Sequence, residues 1–535
     1  MLAAMSLPRL SPVELEVARH ALAGVAEEMG VALRRASYSP NIKERADCSA
    51  ALFGPDAQMT AQAEHIPVHL GSMPASVTAA LEAFGGRLEP GQQVAVNDPY
   101  AGGTHLPDLT IVAPVWQDDR LLGYVANRAH HADVGGAAPG SMPASATDIA
   151  MEGLRVPPTL IADDRGPRAD VLGLIAANSR TPTERRGDLR AQLAANHVGA
   201  ARLVQLAARW GPDRLDRIGA EVCDYSDRRV RTAVRAIPDG TYRFRDILDL
   251  DGCGDDNGIE VAVAVSVDGD EVTIDFDGSA AQVPANVNAP LAVTVSAAWF
   301  VFRMLTDPHA PPNAGCYRAC RVTAPAGSIL NAVFPAPVAA GNTETSQRVV
   351  DVLLGAFAQA LPDRVPAASQ GTMNNLLLGS TGTATPFSYY ETVAGGEGAT
   401  PHRDGMSGVH TGMTNTRNTP AEAMELAYPL RVWRAQLRPG TGGAGRHRGG
   451  DGVLREVETL TDATLTLVTG RRARGPWGLA GGQAGTPGRN SILHSDGTEQ
   501  PLPATGTWSL ATGDRVRVET PGGGGWGTPS PKANP

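Results

Sequence analysis

His105, Asp108, His130, His131 and Asp133 crowd into one stretch, Asn97–Gly136, which reads NDPYAGGTHLPDLTIVAPVWQDDRLLGYVANRAHHADVGG. An apolar run, QQVAVNDPY, delivers Asp98 to a Gly102-Gly103 turn that exposes His105 and Asp108. Two β-like runs follow, LTIVAPVW and LLGYVANRAHH, joined by the polar turn Gln117–Arg120. The second ends on His130, His131 and Asp133, with Gly135-Gly136 directly behind. Two strands thus finish in His/Asp clusters beside glycine turns. Imidazole and carboxylate at loop-borne strand ends are ligands for a divalent metal such as zinc, manganese or iron.

The ligand set this pattern favours is Asp47, His105, His130 and Asp133, with a coordination position left for water. The H-x-x-D spacing from His130 to Asp133 fits a tight turn that shows both groups to one ion. His131 points the other way if the strand continues that far, so it is the weaker ligand. Glu64, His65 and His69 form a competing cluster, and Asp98 or Asp108 could replace Asp47. No short zinc pattern is matched. Single histidines are more commonly satisfied core or surface groups, so the clustering carries the argument.

The elements that must position these groups are legible from capping and periodicity. Ser11, Pro12 and Glu14 open a helix running to Ser37, with an N-cap, a proline at the first helical position and a capping-box carboxylate. Asp47 stands just before the strand-like run SAALF, which enters a hairpin through the turn GPDAQ; Glu44 and Arg45 lie at its entry. EHIPVHLGSMPASVTAALEAFG leads into a short helix. Residues 137–170 begin as a long irregular segment suited to covering a site. From Gly173 to Ala233 the pattern is helical. At Tyr242 it changes to period two, and VAVSVDGDEVTIDF, with Asp268-Gly269 between its halves, is a hairpin. Residues 290–310 and 345–362 return to helix. The Gly-, Thr- and Asn-rich stretch 366–425 reads as loop scaffold or binding surface without a regular core element. Short strands and turns fill the chain from about 436.

The expected fold is therefore mixed α/β (α+β) and multidomain: a metal-site domain over 1–240, a central mixed α/β domain over 241–435, and a β-rich domain over 436–535. A chain of 535 residues carries about two to four domains by length. Charged residues make up 19% and the net charge is −10, without acidic or basic blocks. That balance argues against a nucleic-acid or anionic-membrane partner. Five cysteines (Cys48, Cys223, Cys253, Cys316, Cys320) are few and odd in number, as for reduced thiols in a cytoplasmic protein. There is no signal-peptide pattern and no apolar run of roughly 18 residues, so the expectation is a soluble cytoplasmic chain.

Glycine-rich GTGGAGRHRGGDG lacks the order and the lysine of a phosphate-binding P-loop, although Arg446 and Arg448 could grip an anion or a partner chain. PGGGGWG reads as a series of tight turns. No G-x-S-x-G elbow occurs, and no ATP site of the chain's own is evident.

With these residues in view, the chain resembles the hydantoinase B/5-oxoprolinase family over nearly its whole length. The matching stretches are ERADCSAALF, NDPYAGGTHLPD, NRAHHADVGG, EGLRVPP, ANVNAPLAVT, AAGNTETSQRVVD, ASQGTMNN, HTGMTNTRNTPAEAMELAYPLR, GGAGRHRGGDGVLRE and PGGGGWG. The resemblance implies one subunit of an ATP-dependent enzyme that opens cyclic amides. An A-type partner subunit would bind ATP-Mg and phosphorylate the lactam oxygen, in a hetero-oligomer such as α2β2. It implies the stand-alone bacterial arrangement rather than an A–B fusion, and metal ligands at Asp47, His105, His130 and Asp133. His131 and Glu44 stand nearby to move protons or to orient ligands. Ketone carboxylases of the acetone and acetophenone type share the architecture and supply the alternative function.

Overall fold

The computed structural model describes residues 10–63, 66–249, 258–380 and 386–529. Helix α1 (Pro12–Ala36) starts as its sequence dictates: Ser11 Oγ accepts from Glu14 N while the Glu14 carboxylate accepts from Ser11 N, and Pro12 occupies the first turn. Its apolar stripe, Leu22, Val25 and Met29, packs with Leu52, Val115, Leu203 and Ala207.

Those residues belong to the largest sheet and its cover. The sheet comprises β1 (Cys48–Phe53), β2 (Met59–Ala63), β3 (Gln93–Val96), β4 (Asp108–Gln117), β5 (Arg120–His130), β6 (Thr159–Asp163) and β7 (Gly166–Pro167). They lie in the order β2-β1-β5-β4-β3-β6-β7 with every neighbour antiparallel. The short helix α2 (Pro40–Lys43) leads into β1, and α3 (Ser72–Ala83) lies between β2 and β3 in sequence. Helices α4 (Ala169–Ala177), α5 (Pro182–Trp210) and α6 (Pro212–Val234) follow the sheet.

Alternation along β5 assigns its two faces. Tyr124 and Ala126 point into a core shared with α3, while Val125 joins α1 and α5. Asn127 continues the second face, donating to Gln192 O and Asn196 Oδ1 of α5. Both faces are covered, which is why β4 and β5 are almost wholly buried.

A second sheet, ordered β11-β10-β9-β8, is built from β8 (Gly240–Leu248), β9 (Ile259–Asp268), β10 (Glu271–Asp275) and β11 (Cys320–Thr323). The expected β9–β10 hairpin forms, but it turns at Gly269–Asp270, one residue later than Asp268-Gly269, because Asp268 pairs with Glu271. Helices α7 (Leu291–Leu305) and α8 (Ser346–Ala360) cover it, and one apolar core runs from Val94, Val112 and Met73 through Val301 to Val261 and Phe357.

The stretch 366–425 differs from its expectation. It contains β12 (Asn375–Ser380) and β13 (Phe387–Thr392), buried at every position, and α9 (Ala421–Ala427). The strand cores LLL and YY are short apolar runs hidden within a polar composition. The chain then adds β14 (Leu430–Arg438), β15 (Gly452–Thr459), β16 (Ala463–Val468), β17 (Arg489–Leu493), β18 (Glu499–Leu502), β19 (Thr505–Leu510) and β20 (Arg515–Glu519). Two sheets, β13-β12-β16-β19 and β14-β15-β20-β17-β18, pack through Leu376, Tyr389, Leu465, Val457, Ile492 and Val518. Hydrogen bonding therefore joins residues on either side of position 435.

PGGGGWG is not a run of turns. Residues 522–525 are threaded between neighbouring segments: Gly523 N donates to Gly450 O, Gly524 N to Ala368 O and Gly525 N to Gln483 O. A Cβ on Gly523 would lie 2.0 Å from Glu397 O, so the glycine serves close backbone approach. Arg446 lies over the Trp526 ring and Arg448 bonds Asp451. The four described cysteines are buried, and Cys253 lies outside the described residues. Among the described residues no helix is long and apolar enough to cross a membrane.

Buried charge ties β8 to the C-terminal half. Arg348 and Arg471 both bond Asp246, and Asp249 accepts the N–H groups of Arg471, Arg472 and Ala473. Burial alone would raise the Asp249 carboxyl, but the Arg348 charge and these N–H donors hold it below its usual value. Its stabilising contribution is then complete above about pH 4 and is lost as pH falls through the folded value. Asp249→Asn should lower stability at pH 7 by about 1–3 kcal/mol and flatten the acid limb below about pH 4, as read by urea unfolding across pH.

Candidate metal centre

The centre begins with strand register. Asp108 opens β4 and His130 closes β5, and the ladder sets the two directly opposite. A bulge between Val115 and Trp116 makes this so. Counting back from the Gln117–Arg120 turn without it would place Ala129 there instead.

His105 arrives from the preceding turn. Asp98 caps Pro99–Ala101 by accepting Tyr100 N, and Gly102 follows at φ 79°. A Cβ on Gly102 would sit 2.4 Å from Ala75 O, and Ser76 Oγ donates to Gly102 O, so α3 fixes the turn.

Three potential ligand atoms meet as a result. His130 Nδ1 is 2.9 Å from Asp108 Oδ1, His105 Nε2 is 3.1 Å from the same oxygen, and the two ring nitrogens are 3.2 Å apart. His105 Nδ1 donates to Ala339 O at 3.2 Å, which leaves Nε2 as the lone-pair nitrogen. His130 stacks on the Tyr390 ring at 4.9 Å. Thr104 Oγ1 donates to Asp108 Oδ2 at 2.6 Å, and Asn342 Nδ2 lies 3.1 Å from His105 Nε2 and 3.4 Å from Asp108 Oδ2. His69 Nε2 stands 3.6 Å from Asp108 Oδ2, with its Nδ1 on Ser49 Oγ.

These groups fit a divalent cation. Ligand atoms about 3 Å apart span the edges of a coordination polyhedron with bonds of about 2.0–2.1 Å. His69 Nε2 and Asn342 Oδ1 are buried without a hydrogen bond, as expected where a further partner is needed. Burial lowers the His130 pKa and so favours the neutral, ligating imidazole. Burial alone would raise the Asp108 carboxyl, but the surrounding imidazoles, His105 foremost, hold it well below the carboxylate range. The groups border a small cavity of about 20 Å³ whose wall also includes Asp47, Tyr390 and Thr416.

Of the residues expected at the site, the structure brings together His105 and His130, with Asp108 between them. Among the described residues, this is the only group of three or more His, Cys, Asp or Glu ligand atoms within 4.8 Å of one another. Asp47 lines the cavity and its charge acts on His130 without joining that group. Asp133 is not part of it: its carboxylate accepts Gly135 N, Gly140 N, Arg180 N and Arg180 Nη1, the last two at 2.9 Å. His131 faces α5, its Nε2 2.9 Å from Gln192 Oε1, and burial beside Arg185 pushes its pKa down to about 3. Glu44 caps the C-terminus of α2. Glu64 and His65 lie outside the described residues, whereas His69 borders the cavity.

Sequence reasoning did not single out Asn342 or Glu344. Both ride on a π-helical turn, Gly341–Thr345, that leads into α8. Burial pushes the Glu344 carboxyl up to about 7. Glu344 Oε1 accepts from Asn375 Nδ2, and Asn375 Oδ1 accepts from the Tyr390 hydroxyl at 2.9 Å. The only sequence signal for these residues was the polar density of AAGNTETSQ.

The layered α/β fold and a buried His/Asp/His cluster on adjoining strand ends define a candidate metal-dependent protein. The chain belongs to the hydantoinase B/oxoprolinase family, whose profile matches residues 11–529. It is 36% identical to 5-oxoprolinase of Dictyostelium discoideum over 97% of its own length, and it spans 40% of that relative. Its structure is similar to the ATP-dependent caprolactamase of Pseudomonas jessenii, with a TM-score of 0.90, 30% identity, and coverage of 97% of this chain and 92% of the other. An acetone carboxylase structure shares the fold at a TM-score of 0.88 and 19% identity, over 97% of this chain and 76% of that one.

His105→Ala, Asp108→Ala and His130→Ala should each abolish stoichiometric divalent-metal binding, measured by elemental analysis after dialysis. Asp133→Ala should retain the metal but lose about 3 kcal/mol of stability by stranding the largely buried Arg180.

Proposed function

We propose that the chain is the metal-dependent hydrolytic subunit of an ATP-dependent hydantoinase, oxoprolinase or lactamase. The observation that carries this reading is the convergence of His105 Nε2, Asp108 Oδ1 and His130 Nδ1 within 3.2 Å of one another. Support for the reaction class comes from the cyclic-amide enzymes among its relatives.

In this reading His105, Asp108 and His130 hold a zinc, manganese or iron ion. When bound, such an ion supplies Lewis acidity and lowers the pKa of water from ~15.7 towards ~7. The Ala339 carbonyl keeps the His105 lone pair on Nε2. Asn342 and Thr104 orient the Asp108 carboxylate. Asp47, in the cavity wall, takes the proton-accepting role, while His131 supports the sheet from its other face. Glu44, at the end of α2, orients the segment that leads into Asp47.

An amide carbonyl resists water because attack forfeits its resonance, and O-phosphorylation removes that resonance and provides a leaving group. ATP-Mg and the phosphorylation are assigned to an A-type partner subunit, in a hetero-oligomer such as α2β2 located in the cytoplasm. The substrate is a small cyclic amide.

The shared fold of acetone carboxylase supports a second reading, the metal subunit of a ketone carboxylase. The two are separated by reconstituting the chain with an A-type subunit and following ring opening and ATP consumption with and without bicarbonate. Lactam hydrolysis should proceed without bicarbonate, require ATP, and fall at least about 100-fold on chelation. An absolute bicarbonate requirement would establish the carboxylase reading, and ring opening without ATP or partner would sink both.

A further inference from the structure

Glu152 belongs to the EGLRVPP stretch, far in sequence from the His/Asp cluster, and its side chain is fully buried. It caps the short helical turn Ile149–Met151 and sends its carboxylate across to another segment. One oxygen accepts Ala339 N at 2.9 Å and the other accepts Val338 N at 3.1 Å. The carbonyl of Ala339 is the group that takes the His105 Nδ1 proton at 3.2 Å. Before it the segment is held by Ile149 N on Pro335 O, the Tyr100 hydroxyl on Ala336 O and Asn288 Nδ2 on Pro337 O, and after it Asn286 O accepts Ala340 N at 2.8 Å and Gly341 N at 3.1 Å. Glu152 thus holds the two N–H groups that lead directly into the Ala339 carbonyl, while Asn286 O holds the N–H on the far side of that carbonyl.

The tautomer of His105 makes this bracket consequential. With Nδ1–H bonded to Ala339 O, the Nε2 lone pair faces Asp108 Oδ1 at 3.1 Å. If the carbonyl drifts away, the proton can move to Nε2 and donate to that same oxygen. The ring would then be satisfied without a cation, and metal would have to displace that state. A partner one bond removed from a ligand thereby sets the affinity of the site.

We propose that Glu152 is a positioning residue for the metal centre, acting through the Val338–Ala339 backbone to fix the orientation and tautomer of His105. The proposal rests on the metal-centre reading above. Glu152→Leu removes both acceptors at similar volume, whereas Glu152→Gln keeps one.

Zinc affinity is measured by chelator competition on the full chain, alongside the visible spectrum of the cobalt(II) form and the thermal midpoint of the metal-free protein. The expected result is a graded loss, about 10–100-fold for Glu152→Leu and less for Glu152→Gln, with an altered cobalt spectrum. Affinity and spectrum equal to wild type, whatever the change in thermal midpoint, would overturn the proposal. So would failure of both variants to fold, which would assign Glu152 to the fold alone. If only the leucine variant fails, the glutamine variant decides by the same criteria. Absence of zinc binding by the wild-type chain would instead refute the metal-centre reading itself.

Discussion

The pairing of Asp108 with His130 across β4 and β5 is the constraint on which the centre depends. A one-residue slip in an antiparallel ladder turns each side chain to the opposite face. Here it would send the aspartate toward α5 and leave the two histidines without a carboxylate. The bulge between Val115 and Trp116 sets that register roughly 24 Å from the cluster, at about 3.4 Å per residue. The covered faces of the sheet defend it, because a slip would drive Arg128 and Asn127 into the wrong layers.

Burying so many polar groups demands that each be answered. Arg128 lies two residues before His130 on the same face and is satisfied by Thr110, Ser72 and Ser76. Burial pushes its pKa down to about 10 while the charge of Asp108 pulls the other way. Arg45, just before Asp47, bonds Asn41, Tyr390 O and Thr392 and lies over the Tyr390 ring. The ring stacked on His130 is therefore anchored by the same segment that delivers Asp47. Metal-site geometry of this kind is a property of the surrounding layers as much as of the ligating residues.

Much of this was readable from the chain. The α1 capping box, the β4–β5 hairpin, the period-two change after residue 240 and the nearness of His105 to His130 all follow from local patterns. Asp108 was visible only as an alternative to Asp47, because the bulge that aligns it carries no clear sequence mark. Asp133 looked like a ligand through its spacing from His130. After the strand ends, however, the chain turns its carboxylate to Arg180 and two backbone N–H groups, a competition that spacing does not reveal. Strands β12 and β13 were hidden by polar surroundings, and the C-terminal glycines were read as turns when close packing is what requires them. Asn342 and Glu152 act through contacts more than 180 residues apart in sequence, which no local pattern encodes.

The smallness of the cavity beside the cluster has a steric corollary. About 20 Å³ is enough for one water-sized guest, and a lactam ring is far larger. Catalysis on such a ring would require its partial enclosure to widen around each molecule. The irregular segment bearing Thr414 and Thr416 supplies one side of that enclosure. Movement of that segment would then be a step of turnover in its own right.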